Sequence, residues 1–168
     1  MRVFPTLSDL AAVEGSLLGT SSWADVPQSR INLFADATED HQWIHTDPAR
    51  TKAELGISTI AHGYLTLSMI PSFMYEIFQV DSATRIVNYG ANKIRFLNMV
   101  PAGSRIRGSM KLQRAELSGG SLRTISEVTV EIEGQSKPAL VAEIIMLFYE
   151  EPTNERTLKA GQGGEIGR

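Results

Sequence analysis

The sequence contains no cysteine, which excludes disulfides, thiolate nucleophiles and thiolate zinc sites. Long apolar runs are also missing: the longest is interrupted by Ser68, Pro71 and Ser72 and is too short to cross a bilayer. The opening stretch, MRVFPTLSDLAAVEG, lacks the basic start and continuous apolar segment of a secretory leader. Neither sign of charge dominates. A formal net charge of −3 gives no reason to expect nucleic acid or an anionic membrane as partner. A cytoplasmic globular protein is the default that remains, and a polyanionic ligand would need a local basic patch.

What is present suits one domain. The chain has 168 residues, 42% of them apolar and 21% charged, enough to bury a core beneath an ordinary polar surface. Leu7 to Leu18 reads as a short helix with Ser8 as its cap. A second helix is expected from about Pro27 to Ala37, with Ile31, Leu33 and Phe34 on one side. Thr38 to Ser58 has no sustained period and reads as a long polar loop. Within it, Asp47-Pro48 starts a brief helix ending near Gly56, since a carboxylate cap followed by proline suits a first turn. From Gly63 to Phe78 apolar residues occupy most of the helical circumference, which predicts a buried helix kinked at Pro71.

The rest reads as sheet. Thr84–Tyr89 and Ala91–Phe96 are two short candidate strands around Gly90, a bulge signal. Ile106, Gly108, Met110 and Leu112 alternate with polar residues, as do Val128, Val130 and Ile132, and Ala139–Tyr149 is a largely apolar strand. Turns at Ser118-Gly119-Gly120 and Gly134–Pro138 join these three into an antiparallel meander. Residues 1–150 thus form an α+β domain with an antiparallel sheet wrapped around a long central helix. Residues 151–168 are polar and glycine-rich, and a disordered tail is expected there.

Titratable residues crowd Glu39 to His45, with Asp47 just beyond. Acid–base chemistry needs a carboxylate and an imidazole within reach of one water or substrate proton, and Asp40 and His45 are such a pair if the loop folds back. Spacing alone does not distinguish them from exposed groups in a solvated loop.

Three segments carry a resemblance. FADATEDHQWIHTDP, Phe34 to Pro48, resembles the signature of MaoC-like (R)-specific enoyl-CoA hydratases, in which an Asp and a His five residues later open and close a short loop before an Asp-Pro helix start. Ile60-Ala61-His62-Gly63 is similar to the His-Gly entry to the central helix of that family's hot-dog fold. NYGANKIRF, Asn88 to Phe96, together with Val100-Pro101-Ala102-Gly103, resembles the strands that follow, particularly in the short single-domain branch near nodulation protein N. One departure is Gln42-Trp43, where many members have Asn-Pro; the bulk of Trp43 is expected to stiffen the loop as proline would.

The resemblance implies reversible hydration of a trans-2-enoyl-CoA to the (R)-3-hydroxyacyl-CoA. Asp40 and His45 would share one water, with Asp40 as principal base and His45 as its partner. The backbone N–H of Gly63 would face the thioester oxygen, because a glycine at a helix start permits close approach. His62 is read as a structural residue bonded to the loop, and His41 as exposed. Gln42 is a candidate for orienting the loop or thioester. Lys93 and Arg95, with Arg105 and Arg107, form the candidate patch for CoA phosphates. The resemblance implies no metal and no cofactor beyond the CoA carried by the substrate. It allows an acyl-CoA or acyl-carrier-protein thioester, and it implies a homodimer that would cover an exposed sheet edge. A thioesterase acting at the thioester carbonyl and a non-catalytic acyl-thioester-binding module are the competing readings.

Overall fold

The computed structural model describes residues 1–150; the tail expected over 151–168 lies outside the described residues. Strict alternation builds the sheet. In β7 (Ser121–Ile132) Leu122, Thr124, Ser126, Val128, Val130 and Ile132 are buried, and the residues between them are only partly so. This is the period-two pattern of a strand with one face on the core. β7 lies between β6 (Ser104–Ser118) and β8 (Leu140–Tyr149), antiparallel to both, and β8 also pairs with β5 (Arg85–Phe96). The sheet order is β2-β6-β7-β8-β5, with β2 spanning Leu17–Thr20 and β3 (Ala24–Val26) also paired to β6. A separate parallel pair joins β1 (Arg2–Phe4) to β4 (Phe78–Val80).

The sheet packs on two helical segments, α5 (Gly63–Ser68) and α6 (Ile70–Ile77). Pro71 stands in the first turn of α6, where its missing N–H costs least, and the break expected at this proline falls at Met69. Close approach to the sheet depends on Gly108: a Cβ there would come 2.7 Å from the Phe73 ring. Phe73 is buried against this bare backbone, so the glycine serves packing rather than a turn. Together these elements form the hot-dog architecture, a sheet curled around a central helix.

Four expectations need correction. The first helix, α1, ends at Ala11 and is capped by Thr6, which exchanges capping-box bonds with Asp9, rather than by Ser8. Gly15 then takes a φ of +85°, and the chain leaves helical space. Leu17 is exposed and Leu18 buried because they sit on opposite faces of β2. The central helix is not buried all round: Tyr64, Ser68, Ser72, Tyr75 and Glu76 form an exposed stripe. The two short strands around Gly90 are one strand, β5. It is continuous because its register slips twice, between Asn88 and Gly90 and between Asn92 and Arg95, so each irregularity bends the strand without ending it. Finally, the long loop contains a helical turn, α3 (Trp43–Thr46). It forms because the carbonyl of Gln42 accepts from the N–H of His45, and that of Trp43 from the N–H of Asp47.

Candidate active site

Helix α2 (Gln28–Thr38) closes on Glu39, whose φ of +61° swings the chain out of the helix. Asp40 follows on the short link to α3, its side chain largely exposed. His45, near the end of α3, is buried. Asp47 terminates this turn and starts α4 (Pro48–Leu55) by accepting from the Arg50 N–H at 2.9 Å. Trp43 lies half-buried beneath the Arg50 guanidinium, 4.4 Å from its ring centre. The bulk expected to stiffen the loop is therefore held between α3 and α4.

Backbone acceptors fix both imidazoles. His45 Nδ1 lies 2.7 Å from the carbonyl oxygen of Ile60. A carbonyl can only accept, so this nitrogen carries the proton and Nε2 keeps a free lone pair. His62 Nε2 lies 2.9 Å from the carbonyl oxygen of Asp40, which places its proton on Nε2 by the same reasoning. The two rings stack with centres 3.8 Å apart and planes 29° apart. One polar atom from each of Asp40, His45 and His62 lies within 4.8 Å of the others. The expected pair therefore converges, with His62 as a third member.

Burial pushes the His45 imidazole below its ordinary value. The bond to Ile60 opposes that shift; the neighbouring His62 adds to it and Asp40 works against it. The result is a neutral ring with an unshared pair, the state a proton acceptor needs.

His45 opens on a cavity of about 370 Å³ lined also by Gly63, Thr66, Phe96, Asn98 and Lys137. Gly63 is the first residue of α5, where an N–H has no intrahelical partner. A Cβ at Gly63 would meet the Phe96 ring at 3.0 Å, so its bareness lets that aromatic close over the helix start. The absent side chain serves packing here, and the N–H remains available as a donor.

Other expected site residues lie elsewhere. Gln42 is exposed just before α3. Lys93 is paired with Glu143 at 2.5 Å, and Arg95 bonds the carbonyl of Ile94. Both lie on β5, and neither lines the cavity. Arg105 and Arg107 are paired with Glu133 and Glu131. The basic residue at the cavity is Lys137, in a segment the sequence marks only as a turn. Gln28 also escaped notice: its amide donates to the His45 carbonyl at 2.7 Å, and its oxygen accepts from the Thr59 hydroxyl. No local signal distinguishes such a glutamine from any other residue in a first helical turn. Met74 lines a second, apolar cavity of about 170 Å³ with Leu67, Ile70, Pro71 and Met110.

Comparison with known proteins places this hot-dog fold in a family. The family model for the MaoC like domain matches residues 9–134, and the chain belongs to that family. It is 45% identical over 149 residues to 3-hydroxyacyl-thioester dehydratase Z of Mycobacterium tuberculosis (strain ATCC 25618 / H37Rv), covering 88% of this chain and 99% of the relative. It is 41% identical over 152 residues to nodulation protein N of Rhizobium leguminosarum bv. viciae, covering 89% and 94%. Among solved structures it resembles the monoamine oxidase regulatory protein from Archaeoglobus, with a TM-score of 0.70 at 22% identity over 90% of this chain and 98% of that one. Among the described residues no helix is long and apolar enough to cross a membrane.

Proposed function

We propose that this hydratase/dehydratase adds water reversibly across the double bond of a trans-2-enoyl thioester to give the (R)-3-hydroxyacyl thioester, with CoA as carrier. The observation that carries the reading is the gathering of Asp40, His45 and His62 at the entrance to α5, with His45 Nδ1 held by the Ile60 carbonyl so that Nε2 keeps its lone pair. Membership of the MaoC-like family and the 45% identity to a protein named a 3-hydroxyacyl-thioester dehydratase support it.

In the hydration direction, one water sits between Asp40 and His45. His45 Nε2 accepts a proton from it, and the Asp40 carboxylate accepts a hydrogen bond from its other O–H and so orients it. This exchanges the roles that the sequence suggests for the two. As the oxygen attacks the β-carbon, charge moves to the thioester oxygen, where the Gly63 N–H donates. The pair then returns the proton to the α-carbon and ends in its starting state, so atoms and charge balance with no metal or redox cofactor in the scheme.

A homodimer joined edge to edge belongs to the same proposal. Among the described residues β5 pairs on one side only, with β8, and exposes Val87, Tyr89 and Phe96, an edge of the kind proteins cover. A cytoplasmic site of action accords with an acyl-CoA substrate and a cysteine-free chain.

The test is loss of the conjugated thioester absorbance of crotonyl-CoA and longer enoyl-CoAs with purified protein. Release of free thiol without hydration would establish a thioesterase instead. Binding of acyl-CoA with neither reaction would establish a binding module.

A further inference from the structure

We propose that His62 is a positioning residue, which locks the main chain of Asp40 against the ring of His45 and so sets the geometry in which the two share a water. This rests on the hydratase reading above.

The contacts of His62 are unlike those of a core side chain. It is 3% exposed, and its Nε2–H is committed to the Asp40 carbonyl. One face of the ring stacks on His45, and Phe34 lies against it with centres 5.1 Å apart. Its Nδ1 is buried and has no hydrogen-bond partner among the described residues. A lone pair buried without a donor destabilises a fold, so an apolar side chain of similar size would serve packing better. What the imidazole adds is a donor that reaches from the helix entry to the link bearing Asp40, across 22 residues of sequence.

The same geometry keeps His62 out of the proton transfers. The nitrogen nearer the Asp40 carboxylate, 3.9 Å from it, already donates to a carbonyl, and the other has no partner to pass a proton to. The ring acts through its neighbours. It holds Asp40, whose exposed side chain makes no hydrogen bond to other described residues that would fix it, and it stacks on His45, the group that must stay neutral. The charged or titratable groups that act on His45 are His62 and Asp40; removing His62 removes an influence that favours the neutral form.

Two substitutions separate donor from bulk. His62→Leu fills space but cannot donate, whereas His62→Gln keeps an N–H able to reach the Asp40 carbonyl. With crotonyl-CoA, His62→Leu is expected to lower kcat roughly 10–100-fold while KM stays within about twofold, and His62→Gln to recover much of that loss. Thermal stability of His62→Leu should change little, since loss of the bond to the Asp40 carbonyl is offset by removal of the unpartnered nitrogen. In His62→Gln, which keeps a polar side chain against the ring, the titration of His45, followed by NMR without substrate, should move to higher pH. Wild-type kcat in His62→Leu, a His62→Gln no better than His62→Leu, or activity lost only in step with folded protein would each overturn the proposal. An inactive wild type would overturn the hydratase reading instead, while the NMR titration would still decide whether His62 conditions His45.

Discussion

The Nδ1–H of His45 donates to the carbonyl of Ile60 at 2.7 Å, and this bond leaves the lone pair on Nε2 in a ring that lines the cavity. Ile60 is itself tied down, its N–H donating to Ile44 in the helical turn that carries His45. The imidazole is thereby oriented by main chain on both sides of the site.

Activity should depend on pH through that ring. Burial lowers the His45 value, so hydration should persist below the ordinary midpoint near 6.5 and fall away as pH drops through the lowered one. Stability should follow the same sign. The unfolded chain takes up this proton more readily than the folded one, so the contribution is complete above about pH 6.5 and is lost as acid protonates the folded ring. Rate–pH profiles and urea titrations at several pH values would check both, and an acid limb above pH 6.5 would contradict the first.

Asp40→Ala, which removes the acceptor that orients the water, should lower kcat by about 10²-fold. The side chain is largely exposed, so the unfolding midpoint should hardly move. The bond to His62 comes from the Asp40 carbonyl, and the substitution leaves it in place. Circular dichroism melting beside steady-state rates distinguishes lost chemistry from lost fold.

Gln28→Leu should destabilise by about 1–3 kcal/mol, because it strips the acceptor from the buried Thr59 hydroxyl and the donor from the His45 carbonyl. A lower urea midpoint at unchanged slope would show it. Because the lost bond anchors the residue that accepts the proton, kcat should fall as well, even where the variant is fully folded.

Gly108→Ala places a methyl 2.7 Å from the Phe73 ring and should cost about 1–3 kcal/mol through overpacking. Adding Phe73→Leu makes room, so the double variant should be more stable than the sum of the two single losses. Strict additivity in denaturation would show that the two do not pack together.

Legibility followed the range of the forces involved. Asp47-Pro48 could be read directly, because a cap and a proline act within one turn. Asp40 and His45 could be named because their residue types and their neighbours match a known signature. The three long strands declared themselves through alternation. Leu17 and Leu18 misled, because two adjacent leucines carry no period and Gly15 gives no hint of which structure follows it. Leu65, Leu67, Met69, Ile70, Phe73, Met74, Ile77 and Phe78 are dense enough to suggest burial all round, yet Tyr64, Ser68, Ser72, Tyr75 and Glu76 among them line up on one exposed stripe. Gln28 and Lys137 were invisible because each matters only through partners brought close by folding. Lys93 and Arg95 were chosen for charge, and charge does not reveal that Glu143 lies across the strand from Lys93.

The break at Met69 divides the central helix into two pieces, α5 and α6. The first has His62 and Gly63 at its entry, where the His62 ring stacks on His45. The second carries Met74, which lines the apolar cavity, and Phe73, which seats the helix on the sheet. A change in the side chains of the second piece can therefore reshape the apolar interior while the helix entry at His62 and Gly63 keeps its place.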